Sequence, residues 1–565
     1  MGDFPRKAFF EPIKEFISVS ADQTVDAFNA LIRDINANIG IGGAIDGLSI
    51  TRPQIATEVV LPATFMVSGF TTPGDLGAGA IYTSQGATSG SLMAIQSASG
   101  IWYRLVITGY ANIGWFGAIG DGVTDDTEAI QTCITYIVLN HKVAFFPSGT
   151  YKISATINFQ YTYGWSVQGC GPGSTIIVQE TDNIPIFNLG SDTLLLTHTW
   201  AIDGVAFTYT NVQPSTNTNA NPILFSQMLY QGRLTNICFI RGSYAIRVAN
   251  TIWAPWGTTW DNLWFTTELT GGAMDWSQCG GAVPNNHFGR IYCQCSNMVG
   301  PVFTIRGYNF VIDTLEFNQA LLSPVLFRLA AGAVATINAI KIEGFAYTSS
   351  TAIFDFQASA KAIIGQVSVG GAISTVSNNA VLTIVSNGSG GVGDGFVDID
   401  QMTITPSSVE VGSAIYAISG GPISIGHISI TDAGGRTFLL NQGSSSTSES
   451  TIVTSHINGH LSQDLGNADF TATLGGTNKC IFQTAFTAAR TINLPTANYN
   501  NFFNGLYYEF IFNGAINGAN TATIKSNGAT LHTQTTDKVV VGFTYRRFAA
   551  NPQGGWILTK YETLP

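Results

Sequence analysis

The sequence predicts an all-β protein built on a parallel β-helix, and three observations predict it. Strand-like segments with one central apolar residue recur as IDGVAFT, LTNICFI, WDNLWFT, FGRIYCQ, IDTLEFN, INAIKIE and IGQVSVG. Their centres, Val205, Ile237, Leu263, Ile291, Leu315, Ile340 and Val367, lie 24 to 32 residues apart, and Met402, Ile428 and Ile457 continue the series. A repeat of that length, with one alternating strand and Gly/Asn turns each time, marks a stacked β-solenoid, and its β-branched content excludes helical repeats. The composition agrees: charged residues are 10%, the hydrophobic set is 45%, and glycine fills 62 of 565 positions. Finally, 24 Lys+Arg against 35 Asp+Glu give a net charge of −11. That balance argues against nucleic acid and anionic membranes as partners, because both are bound by neutralising phosphates.

The elements follow in order. Ser20 and Gln23 form a capping-box pattern, and Val25, Phe28, Ile32, Ile35 and Ile39 recur at spacings of 3 and 4 until Gly40. The pattern predicts a short amphipathic helix, either packed on its own domain or serving as an oligomer seam. Gly-rich turns from Gly69 to Gly100 and the strand Ile101–Val106 predict a small β module. Asp125 and Asp126 then stand before a helix whose apolar face is Ala129, Ile130, Cys133, Ile134 and Ile137, where carboxylates suit the free N–H groups. Beyond His460 the repeat spacing stops, and strands near Cys480–Phe486, Thr491–Leu494, Leu506–Phe512, Ala522–Ile524 and Val539–Tyr545 predict a β-sandwich. No stretch of about 18 apolar residues predicts a transmembrane helix. The basic N-terminus lacks the continuous apolar core of a cleaved secretion signal. Seven cysteines at irregular spacing form no disulfide framework, so folding in a reducing cytoplasm is expected.

The segment GDGVTDDTEAIQ followed by FPSGTY resembles the entry to the pectate-lyase-like right-handed β-helix of bacteriophage tailspikes, where this helix caps the open end of the solenoid. The resemblance covers residues 111 to 460 and implies a homotrimer, carried on the virion tail, that degrades bacterial surface polysaccharide. It implies a virion-attachment module over 1–110, a catalytic β-helix over 111–462 and a trimerisation or carbohydrate-binding domain over 463–565. Which residues do the chemistry does not follow from it.

Alternation does propose them. With the central residue inward, the next residue in each repeat faces out, giving the column Ala206, Cys238, Trp264, Tyr292, Glu316, Lys341, Ser368. Two residues further on the column reads Thr208, Ile240, Thr266, Gln294, Asn318, Glu343, Gly370, and one residue before the centre it includes Arg290. Ionisable and aromatic side chains therefore gather in four consecutive turns of a chain that is poor in charge. Glu316 and Glu343, one rung and two residues apart, have Cα atoms roughly 8 Å apart, a spacing that suits the carboxyl pair of an inverting glycosidase. Lys341 beside Glu316 favours its ionised form, making Glu316 the base and Glu343 the acid. The competing reading is a solvated charge ladder.

Trp253, Trp256, Trp260, Trp264 and Trp276 fall within 24 residues, and aromatic faces stack on sugar rings. Trp264 is expected to be exposed, Trp260 to be core, and Trp253 and Trp256 to sit on a loop beside the groove. Gln294, Asn318 and His287 complete the expected binding set. Asp261 and Asp313 are read as inward turn ligands, and Asp275 and His287 as loop residues; Asp275 and Asp355 are the next carboxylates should the pair fail. No metal site or cofactor fingerprint is present. Three functions remain: a hydrolase using the carboxylates; a lyase with Arg290 or Lys341 neutralising a uronate and Tyr292 or His287 as base; and a receptor-binding spike without catalysis.

Overall fold

A computed structural model describes residues 50–87, 93–160, 164–190, 197–227, 229–249, 255–277, 279, 285–318, 325–343, 353–357 and 359–371. Beyond these it describes 380–387, 396–406, 413–418, 423–430, 440–442, 452–459, 462–464, 470–471, 479–482, 488–494, 507–512, 515–516, 520–526, 528–548 and 551–563. The seam helix expected at residues 20–40 and Trp253 lie outside the described residues.

A parallel β-helix forms the body of the chain, with 26 strands in one wound sheet among the described residues. Its strands stack in three columns. The first rises from Tyr110–Asn112 through Val143–Phe146, Ser166–Gly169 and Ala201–Asp203; the third rises from Ile157–Phe159 through Phe187–Leu189 and Ile223–Phe225. The second column carries the repeat read from the sequence, and the register pairs its centres: Ile237 with Leu263, Leu263 with Ile291, then Leu315, Ile340, Val367, Met402, Ile428 and Ile457. Some strands, such as Thr259–Asp275, run through all three columns without a break.

The inward positions form one continuous core. Phe207, Phe239 and Phe265 occupy successive rungs, with ring centroids 5.8 and 5.0 Å apart and nearly parallel planes. Trp260 is fully buried, as expected, and stacks on Phe288 at 5.5 Å. Each such ring removes a large apolar area from water, and this burial is the main stabilising term of the solenoid.

The helix spans Thr127–Asn140 and turns Ile130, Cys133, Ile134 and Ile137 onto the first rung. The two aspartates before it divide the work differently from the expectation. Asp125 accepts the Thr127 N–H at 3.0 Å, whereas Asp126 is buried and points back to accept the N–H groups of Ile119 and Gly120. Burial raises the Asp126 pKa despite those two donors.

Before the solenoid, Thr64–Met66, Ile81–Gly86, Trp102–Val106 and Ile95–Gln96 form a four-stranded antiparallel sheet. It is packed onto the first turn: a Cβ at Gly114 or Gly117 would collide with Leu76 or Phe70. After the solenoid, a second core of Tyr508, Phe510, Phe512, Ile524, Val541 and Phe543 is shared by a five-stranded and a four-stranded sheet. Parallel pairing does not end at residue 460, as the lost spacing had implied. Ser462–Asp464, Lys479–Phe482 and Tyr507–Phe512 pair in parallel, as do Phe470–Thr471, Arg490–Asn493 and Ala522–Ser526, before antiparallel strands close both sheets. Irregular loop lengths between these strands hide the stacking from a spacing argument.

Candidate functional site

The outward face of the second column is set by strand alternation and by a corner. Asn236 and Asn262, immediately before two centres, adopt left-handed φ values of 54° and 51°, a conformation asparagine tolerates better than most residues. They turn the chain from the first column into the second, and the Asn262 side chain donates to Asn236 Oδ1 at 2.8 Å, carrying the corner from rung to rung.

Register then assembles the candidate residues. Trp264 pairs with Tyr292, Tyr292 with Glu316, and Glu316 with Lys341; Gln294 pairs with Asn318, and Asn318 with Glu343. Trp264 is 51% exposed and meets Tyr292 edge-on, with centroids 5.6 Å apart. The Tyr292 hydroxyl accepts from the amides of Asn318 at 3.4 Å and Gln294 at 3.5 Å. These hold it upright beside Glu316.

Lys341 changes the reading of the carboxylate pair. Its Nζ lies 3.6 Å from Glu316 Oε1 and 2.8 Å from Glu343 Oε1. The hydrogen bond to Glu343 is the chief cause that raises the Lys341 pKa, so this amine stays an ammonium ion. The expected division of roles had Lys341 beside Glu316 alone; the ammonium bridges both carboxylates and is nearer Glu343. Nothing in that contact marks Glu343 as the proton donor. The two contacts also cap the separation of those oxygens at roughly 6.4 Å, below the roughly 6.5–9.5 Å that leaves room for an attacking water, so with the bridge closed the pair is too close for one.

Arg290 is exposed on the corner, one rung beyond Asn262 and in register with Thr314. Asp261 and Asp313 are not inward, because the corner breaks the alternation that had placed them there. Asp261 is exposed and its Oδ1 accepts the Arg290 N–H at 2.9 Å, a contact that requires glycine at 289, where a Cβ would lie 2.2 Å from that oxygen. Asp313 joins three rungs, pairing with His287 Nε2 at 2.9 Å and accepting from Asn338 at 3.0 Å. His287 is not a loop residue; it opens the strand His287–Gln294. Trp256 is not a free platform, since its ring packs against Tyr230 at 4.8 Å and against the core.

A second polar column went unread. On the third column, Arg247, Asp275, Thr304, Arg328 and Asp355 are successive register partners. Asp275 ends a strand rather than lying on a loop, and pairs with Arg247 at 3.4 Å; Asp355 pairs with Arg328 at 2.6 Å. Unlike the first face this row is largely covered, with Asp275, Thr304 and Asp355 all buried, and Asp355 Oδ1 has no partner among the described residues. Burial raises the pKa of Tyr244 beside the row, with Asp275 adding to the shift and Arg247 and Arg328 opposing it. The signal was present as apolar–polar–apolar triplets (IRV, MDW, FTI, FRL, FDF) at solenoid spacing.

Among the described residues no group of three or more His, Cys, Asp or Glu could hold a metal ion, and no helix is long and apolar enough to cross a membrane.

Residues 110–189, the cap and first rungs, match the family model described as rhamnogalacturonase A/epimerase, pectate lyase-like. A glucan 1,3-beta-glucosidase of Cochliobolus carbonum is 54% identical over 41 residues, which is 7% of this chain and 5% of that protein. Similar solved structures include the Geobacillus virus E2 protein ORF18 (TM-score 0.40, 14% identity, 91% of this chain and 89% of that one). Full-length tailspike protein 2 of the Escherichia coli O157:H7 bacteriophage CAB120 is another (0.43, 13%, 89% and 57%), as is PfbA, a surface adhesin of Streptococcus pneumoniae (0.44, 11%, 81% and 99%). The chain thus spans little more than half the length of that tailspike. The matched segment and the wound sheet together describe a pectate-lyase-like parallel β-helix.

Proposed function

We propose that this protein is a tailspike-type depolymerase that binds and hydrolyses a bacterial surface polysaccharide on the outward face of the second column. One observation carries the reading: the exposed Trp264 and the half-buried Tyr292 beside it continue in register into Glu316, with Glu343 diagonal to it on the next rung. Stacked aromatics hold sugar rings, and two carboxylates beside them supply the acid and base that glycosidic cleavage needs. Lys341 bridges the pair in the free protein. An incoming sugar displaces it from one carboxylate, and the carboxyl that it leaves becomes the proton donor while the other activates water.

In this reading the chain is a homotrimer, held on the virion tail by residues 1–110, with the β-helix of 111–462 catalytic and residues 463–565 serving trimerisation or carbohydrate binding. No cofactor takes part. The test is purified protein against a panel of bacterial capsular polysaccharides. New reducing ends without the ultraviolet absorbance of an unsaturated uronate support hydrolysis. Appearance of that absorbance sinks it in favour of a lyase, a second reading supported by Arg290 and Tyr292 standing two residues apart on one strand. Binding with no fall in polymer length leaves a receptor-binding spike.

A further inference from the structure

Gln294 and Asn318 are expected from the sequence to touch the sugar, yet both turn their amides onto a neighbouring side chain. They face each other on successive rungs, and each points its amide nitrogen at the Tyr292 oxygen, at 3.5 and 3.4 Å. Two donors sharing one oxygen keep both contacts long. An NH2 group carries protons and no free lone pair, so neither amide can take the Tyr292 proton. Among the described residues no acceptor stands within hydrogen-bond distance of it; the amides are the partners of that hydroxyl. Tyr292 is half-buried and lies on the rung between Trp264 and Glu316. Its oxygen is therefore engaged from the protein side, and its proton is left for whatever enters the groove.

We infer that Gln294 and Asn318 are positioning residues that fix Tyr292 as a one-way hydrogen-bond donor, and that this donor selects an acceptor oxygen on the sugar lying between Trp264 and Glu316. The inference rests on the polysaccharide reading of the same face. A tyrosine hydroxyl free to turn accepts from a sugar hydroxyl as readily as it donates to a sugar oxygen. The two amides remove that freedom and leave one polarity. A site of fixed polarity discriminates because a group of the wrong kind leaves a desolvated donor or acceptor unpaired. The carboxylates of Glu316 and Glu343, in contact with the Lys341 ammonium, have the opposite polarity and accept from sugar hydroxyls. Successive rungs of one face thus read opposite features of the ligand.

The experiment is a double-mutant cycle read as equilibrium binding, KM and kcat on a panel of neutral and acidic capsular polysaccharides. The variants are Tyr292→Phe, the paired exchange Gln294→Met with Asn318→Leu, which removes both donors without adding charge, and all three together. Each amide exchange is also made singly, so that a poorly folded pair leaves the cycle complete, and melting is recorded throughout. The expected result is a loss of affinity and a rise in KM of about 3- to 10-fold for Tyr292→Phe, and of about 3-fold for the amide pair, with kcat less affected. In the Tyr292→Phe background the amide exchanges cost nothing further, because they act only through that hydroxyl. The inference alone is overturned, with the polysaccharide reading intact, by wild-type affinity in Tyr292→Phe, by a Tyr292→Phe loss confined to kcat, or by amide losses that persist in the Tyr292→Phe background. A wild type that neither binds nor degrades any of the polymers overturns both.

Discussion

The second and third columns of the solenoid carry polar rows of similar length built from the same alternation, yet one is open and the other covered. On the second column Lys341, Glu343 and Glu316 keep side-chain exposures of 46, 44 and 26%; on the third, Asp275 and Asp355 fall to 12 and 8%. The open row can exchange its internal ion pairs for a ligand at little cost, since exposed pairs contribute little to stability. The covered pairs cannot, because the buried carboxylates of Asp275 and Asp355 have lost most of their water and depend on their half-exposed arginines. The comparison teaches that outward-facing and accessible are different properties of a β-helix residue, and that only the open row has the chemistry of a binding face.

Catalysis gives the largest expected effect and the sharpest test. Glu316→Gln and Glu343→Gln each lower kcat by about 10²–10⁴-fold with the fold kept, read as reducing ends released and as circular dichroism. Full activity in both would break the comparison and move the site elsewhere. Asp355→Ala acts in the opposite sense: it leaves Arg328 uncompensated and lowers unfolding stability by about 3 kcal/mol, measured by denaturant titration. A stable but inactive Asp355→Ala would show that the covered row is the working one.

Trp264→Ala comes next, raising KM by about 2- to 10-fold through loss of stacking, with a smaller change in kcat. Lys341→Met is the smallest in stability, shifting it by less than about 1 kcal/mol because the ammonium is exposed and its partners remain partly in solvent. The bridge has a defined pH sense. The folded pKa of Lys341 is raised above the ordinary lysine value of 10.5, chiefly by Glu343. While both glutamates are ionised, its contribution is complete below 10.5 and lost as pH rises through the raised value, so from neutral pH upward the stability difference between Lys341→Met and wild type persists until the lysine itself deprotonates.

Much of this was written in the sequence. The period of the second column gave the buried centres from Val205 to Met402 and the register partners Ile428 and Ile457 beyond them, because a stacked strand repeats its apolar residue once per turn whatever the loops between do. The same alternation gave the register of Trp264, Tyr292, Glu316 and Lys341, since side chains of period two keep to one face between one corner and the next. The third column does not show in a repeat of one strand per turn, although its triplets recur at the same interval. Asp261 faces out because left-handed Asn262 interrupts alternation at the corner, and a φ value is not visible in a residue name; Asp313 is held outward by His287 and Asn338.

What the sequence determined by itself is the solenoid, its capping helix and the set of side chains that share its second face, all consequences of local periodicity and steric preference. Three things were decided only by tertiary structure. Asp275, Thr304 and Asp355 of the third column are buried although they alternate like the open row; the reach of Lys341 across a 2.8 Å and a 3.6 Å contact ties the two glutamates together; and the corner turns Asp261 outward onto the Arg290 N–H. Each depends on distances between rungs distant in sequence, where a difference of one or two ångströms separates an ion pair from a free charge.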